Sequence, residues 1–160
     1  MKIKIIAVGK IKEKFYKQAL EEYLKRMTPY NDIEIIEVPD QPAGENLSEK
    51  EIEQVKEKEG EKILKKIGET DYVVSLEILC KQKTSEEFAD FIKEEMQEGN
   101  GRDLVFIIGG SNGLSKQVSQ RANQKQSFSK MTYPHQLMRV ILTEQIYRAF
   151  RIINGHPYHK

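Results

Sequence analysis

The chain has 160 residues, 38% of them hydrophobic and 32% charged, with a formal net charge of +1. A chain of this length suits one domain that buries about two thirds of its unfolded surface without metal or disulfide staples, and its composition excludes a disordered chain and a bilayer-spanning helix. The near-neutral total hides an asymmetry: from Ser115 onward there are eight lysines and arginines and one carboxylate, Glu144, so that segment is net +7 and residues 1–114 are net −6.

Lys2 to Val8 predicts a first strand, with neither the long apolar core nor the small-residue cleavage site of a signal peptide. One cysteine, Cys80, rules out an internal disulfide, and the expected compartment is the cytoplasm. Lys12 to Met27 reads as an amphipathic helix with Phe15, Ala19, Tyr23 and Met27 at four-residue steps. Glu21 with Lys25 and Glu22 with Arg26 add exposed pairs across one turn. Ile33 to Val38 is a second strand, stopped by Pro39. After the loop from Pro39 to Asn46, Ser48 and Glu51 form a capping-box signal for a long charged helix to about Ile67.

Tyr72 to Leu79 is apolar enough for a strand buried on both faces. Thr84 and Glu87 repeat the capping box before a helix over Ser85 to Met96, and Leu104 to Ile108 predicts another strand. Strands alternating with helices imply βαβ units, hence an α/β fold with a parallel sheet covered by helices. No internal repeat breaks residues 1–160, and neither the Pro39 loop nor Gly99-Asn100-Gly101 is long enough to divide them, so one domain is expected. From Pro134, the residues Leu137, Met138, Val140, Ile141, Leu142, Ile146, Tyr147, Ala149, Phe150, Ile152 and Ile153 make an apolar surface wider than one helix stripe. The extra side has to be covered, and a homodimer through this helix is the expectation.

Several places invite chemistry. Gly109-Gly110-Ser111-Asn112-Gly113 follows a strand at the end where parallel sheets bind ligands, yet matches neither the dinucleotide fingerprint nor a P-loop, so a plain turn stays open beside a ligand loop. Ser127-Phe128-Ser129-Lys130-Met131-Thr132-Tyr133 is either a strand with a basic tip or a loop that grips a flat ring. His135, His156 and His159 lack carboxylate or cysteine neighbours at ligand spacing, so no metal is expected. His156-Pro157-Tyr158-His159 is an odd composition for a fraying tail and suggests an ordered one near the site. Cys80 would be a nucleophile only beside a histidine base, and no Gly-x-Ser-x-Gly elbow supports a serine hydrolase. The acidic stretch Glu45 to Glu61 could neutralise the +7 segment. Left exposed, that segment would attract the phosphates of an RNA.

At Ile107 to Leu114, Ser127 to Arg139 and His156 to His159, together with Ala7 to Lys10, Ile35 to Pro39 and Lys58 to Glu61, the chain resembles the large-subunit (23S) ribosomal RNA pseudouridine N3-methyltransferases, small enzymes of the SPOUT class. Motifs this long in this order are highly specific, and the resemblance spans the whole length. It implies an α/β-knot fold with a C-terminal trefoil knot, S-adenosyl-L-methionine as methyl donor, a homodimer, and as acceptor a pseudouridine of 23S rRNA within the assembled ribosome. It places the cofactor contacts on Leu76, Gly109, Phe128, Ser129, Lys130, Met131, Thr132 and Tyr133. His135, Arg139, Tyr158 and His159 are the candidates for holding the base, with the tail supplied by the partner subunit as one arrangement. Cys80 departs from the family pattern, which commonly has glycine before the lysine that is Lys81 here. Such chemistry asks little of the protein beyond alignment of an activated methyl group with the acceptor nitrogen. A reading of another class is a dimeric RNA-binding or ribosome-associated module without catalysis, and binding of S-adenosylmethionine separates the two.

Overall fold

The computed structural model describes residues 1–160 in the order β1 (Ile3–Val8), α1 (Lys14–Met27), β2 (Ile33–Val38), α2 (Glu49–Leu64), β3 (Tyr72–Leu76), α3 (Ser85–Glu98), β4 (Leu104–Ile108), α4 (Lys116–Arg121), β5 (Gln124–Gln126) and α5 (His135–Ile153). The strands form one parallel sheet in the order β2-β1-β4-β3-β5. Alternation along each strand divides the core into two layers. Ile3, Ile5 and Ala7 of β1 and Leu104, Phe106 and Ile108 of β4 face α1, α3 and α5, whereas Ile6, Val8, Val105 and Ile107 face α2 and α4. The expected α/β class with a parallel sheet is what forms. No helix is long and apolar enough to cross a membrane.

Both capping boxes are present: Glu51 N–H donates to Ser48 Oγ at 3.2 Å and Glu87 N–H to Thr84 Oγ1 at 3.1 Å. Helix α1 begins at Lys14 rather than Lys12: Glu13 is extended at φ −84° and ψ 124°, and the N–H groups of Lys12 and Glu13 are held by Gln136 Oε1, at 3.0 and 3.4 Å. Helix α2 ends at Leu64, three residues early, where Lys66 and Ile67 bond three residues back and tighten the end into a turn. Strand β3 stops at Leu76, not Leu79. Its neighbours β4 and β5 end at Ile108 and Gln126, so beyond the Glu77 N–H bond to Gln126 O the chain has no continuous ladder to follow. Residues 77–80 turn off the sheet and leave Leu79 93% exposed. Two short elements escape periodicity: α4, whose N-cap Ser115 accepts from Val118 N–H at 3.2 Å, and the three-residue β5.

Candidate active site

All five strands point their carboxyl ends the same way, and the loops leaving three of them enclose a cleft of about 1010 Å³. Residues 76–80 after β3, 108–114 after β4 and 128, 129 and 131–134 before α5 line it, with His135 and Met138 on the first turn of that helix. The walls are half apolar and the size suits a drug-sized ligand. Of the residues marked by resemblance, Leu76, Gly109, Phe128, Ser129, Met131, Thr132 and Tyr133 line the cleft together, joined by His135. Lys130 does not: its side chain is exposed and lies outside the lining.

The glycine turn is built by crowding. A Cβ on Gly109 would lie 2.9 Å from Leu114 Cδ2 and 3.1 Å from the Gly113 carbonyl carbon, so a side chain there would push the turn open. Gly113 holds φ +87°, and its N–H donates to Gly110 O at 3.0 Å. Behind the turn, Glu59 of α2 is only 5% exposed, and a Cβ on Gly110 would come 3.3 Å from its Oε1. Burial raises the Glu59 carboxyl above its ordinary value, although Oε2 accepts the Gln41 N–H at 2.9 Å.

On the opposite wall the loop ties itself. Ser127 Oγ donates to Ser129 O, and Met131 N–H donates to Ser129 Oγ, both at 2.9 Å. Phe128 stands edge-on to Phe88 of α3, with ring centres 5.8 Å apart. Of the two open readings of residues 127–133, the structure adopts the loop. Ser127 alone pairs, with Gln82. Met131 at 74% and Leu79 at 93% exposure leave the cleft with a greasy rim.

His135 opens α5 at the cleft edge. Its Nδ1 is buried without a partner, and burial, with the nearby Arg139 guanidinium and Lys12 ammonium, holds the imidazole below its ordinary value. Arg139, one turn on, is not placed to touch a base. It is wholly buried, with Nη1 2.6 Å from Glu37 Oε2 and Nη2 donating to the carbonyls of Gly9 at 2.8 Å and Val8 at 3.2 Å. The lone carbonyls at the end of β1 recruited the guanidinium, a demand that spacing alone does not display.

The tail is ordered, as its composition suggested, but it packs on its own protomer's helices and lines no part of the cleft. Tyr158 Oη donates to Glu144 Oε1 at 2.8 Å, its ring meets Tyr147 edge-on at 4.9 Å, and Arg148 lies 4.7 Å above it. Burial and the Glu144 carboxylate raise the phenol above its ordinary value. His159 Nε2 is 2.7 Å from Glu86 Oε1 and its Nδ1 3.1 Å from Arg148 Nη1, while His156 Nδ1 is 2.6 Å from the Tyr30 hydroxyl. Glu144 and Arg148, which cradle the tail, were missed in the sequence. A signal existed: Glu144 is the sole carboxylate of the +7 segment.

None of that segment's cations pairs with a carboxylate in residues 45–61, and its two arginine ion pairs go to Glu37 and Glu144. Any neutralisation by the acidic helix therefore does not run through direct ion pairs. Cys80 is a half-buried free thiol on the cleft wall; His156 and His159 hydrogen-bond elsewhere, and His135, which lines the same cleft, makes no hydrogen bond to it. No three histidine, cysteine or acidic side chains gather as a metal site.

The family model described as "Predicted SPOUT methyltransferase" matches residues 1–159. The chain belongs to the SPOUT methyltransferase family. Among solved structures, this SPOUT chain is similar to a protein of Legionella pneumophila provisionally described as a methyltransferase and solved with the bound cofactor SAM. The two share 8% sequence identity at a TM-score of 0.49, over 93% of this chain and 66% of that one. This chain thus spans just under two thirds of that structure's length.

Proposed function

We propose that the protein transfers a methyl group from S-adenosyl-L-methionine to N3 of a pseudouridine in 23S ribosomal RNA, acting as a homodimer on the assembled ribosome. The observation that carries this reading is the half-apolar cleft between a glycine turn and a self-tied loop, in a chain of the SPOUT methyltransferase family. The cleft fits a nucleoside-like donor: Leu114 packed against Gly109 fixes the shape of one wall, and the Phe128 to Tyr133 loop sets apolar Phe128, Met131 and Tyr133 beside Ser129 and Thr132 on the other. The donor supplies an activated sulfonium methyl group. What remains for the protein is to align that group with the acceptor nitrogen, exclude water and ease loss of the weakly acidic N3 proton. His135, held uncharged on the rim, suits hydrogen bonding to the base without repelling a cationic donor.

Within one protomer Tyr158 and His159 lie on α5 and α3, so in this reading they serve the cleft of the partner. The half-exposed Leu137, Val140 and Ile141 of α5 supply the apolar face for that contact. A C-terminal trefoil knot and a cytoplasmic location belong to the same reading.

Two measurements test it. Calorimetry with S-adenosylmethionine should show binding and thermal stabilisation, and an absence of both would leave an RNA-binding module. Mass spectrometry of 23S rRNA from cells lacking the protein should then show one pseudouridine without its methyl group, and an unaltered RNA would overturn the assignment.

A further inference from the structure

Between β1 and the first turn of α1 lie Lys10, Lys12, Lys14 and Lys17, interrupted by one acidic residue, Glu13. All four lysines are exposed and none is in an ion pair. This island of net +3 stands in a half of the chain that is net −6. Its placement runs against helix stability. A helix start favours carboxylates, and α2 and α3 have Glu49 with Glu51 and Glu86 with Glu87 in their first turns; α1, α4 and α5 have none, and α1 alone sets two lysines, Lys14 and Lys17, one turn apart there. Local rules broken without a compensating contact mark a surface kept for another purpose.

The backbone fixes the island beside the cleft. Lys12 and Glu13 N–H groups hold Gln136 Oε1, Ile11 N–H donates to Glu37 Oε2 at 3.0 Å, and Gln136 directly follows the cleft-lining His135. The Lys12 ammonium is near enough to act on the His135 imidazole. Lys130, exposed and outside the lining, stands on the loop of the opposite wall. A base entering this cleft carries phosphates on both sides of its own nucleotide, and lysines on both rims match that geometry.

We propose that Lys10, Lys12, Lys14 and Lys17 form a phosphate-contacting rim that holds the RNA strand flanking the base presented to the cleft. The proposal rests on the reading of the protein as an RNA methyltransferase. Each phosphate contact releases counterions on binding, so the rim sets both the affinity and its salt dependence.

The test compares the wild-type protein with a Lys10→Ala, Lys14→Ala, Lys17→Ala variant and with a control of equal charge change, Lys50→Ala, Lys65→Ala, Lys66→Ala, on the exposed face of α2 and the turn after it. Binding to ribosomes from cells lacking the protein is measured between 50 and 200 mM salt, alongside steady-state methylation and S-adenosylmethionine affinity. The rim variant should bind ribosomes at least about tenfold more weakly, with its log–log salt slope reduced by about 2. Its KM for ribosomes should rise with kcat and cofactor affinity unchanged, and the control should match wild type. A rim variant with wild-type binding and slope, or a control with an equal loss, overturns the rim. Wild-type protein that binds ribosomes through the rim but transfers no methyl group overturns the enzymatic reading and leaves the rim standing. Wild-type protein that does neither overturns both.

Discussion

Arg139 Nη1 lies 2.6 Å from Glu37 Oε2 in an ion pair whose arginine is wholly buried while the carboxylate keeps 39% of its side-chain surface. The pair pins the first turn of α5 to the ends of β1 and β2, because the other guanidinium nitrogen donates to the carbonyls of Val8 and Gly9. Removing the cation leaves two backbone acceptors without their donor and an unpaired acid at its edge. Arg139→Met should therefore destabilise the fold by about 3 kcal/mol in chemical denaturation, with activity lost in proportion to folded protein. A variant that is fully stable yet inactive would return Arg139 to direct contact with the substrate.

Gly109→Ala tests the turn. The added Cβ would sit 2.9 Å from Leu114 Cδ2 and 3.1 Å from backbone of Gly113, so Leu114 or the turn must move into the cleft. S-adenosylmethionine binding should weaken at least about tenfold by calorimetry, equivalent to about 1.4 kcal/mol. Gly44→Ala, with nothing near its Cβ, is the matched control and should bind as wild type.

The first four strands, the capping boxes and the glycine turn were legible because each depends on local pattern: short apolar runs, a hydroxyl three residues before a glutamate, glycines after a strand; Leu76 came from the resemblance alone. The charge asymmetry was equally readable, and so was the oddity of the tail. What sequence could not display were contacts between distant segments. Arg139 looked like any basic residue on a helix facing a polyanion, and only the fold shows that β1 ends in carbonyls at its guanidinium. The tail's partners Glu86 and Glu144 lie 73 and 14 residues away from His159 and Tyr158. Strand β5 was hidden for a different reason: three polar residues, Gln124, Lys125 and Gln126, become a strand only because β3 offers an open edge.

His135 gives a pH signature with a definite sign. Burial, with Arg139 and Lys12 adding repulsion, holds its folded value below 6.5, so the unfolded chain takes up the proton first as pH falls. Its contribution to stability is complete above pH 6.5 and is lost as the pH drops through the lower folded value. Thermal scans at stepwise lower pH should show wild type losing stability faster than His135→Gln. Parallel curves for the two proteins would mean that His135 titrates alike in the folded and unfolded states.

In the homodimer proposed above, which cleft the tail serves is a question that mixed dimers answer. Deletion of residues 156–160 removes the polar contacts with Glu144, Arg148 and Glu86 and the Tyr158 ring on Tyr147 at the edge of the core, but none of the buried core residues themselves, so the truncated protein should fold, with reduced stability, and bind S-adenosylmethionine. It should fail to methylate ribosomes. The Gly109→Ala protein, assayed at S-adenosylmethionine well below its weakened Kd, should fail for the opposite reason, having an intact tail and a cleft that holds little cofactor. If tails cross between subunits, co-folding the two inactive proteins builds dimers in which one good cleft meets one good tail, and part of the methylation returns. If each tail serves its own protomer, every such site lacks one component and the mixture stays inactive.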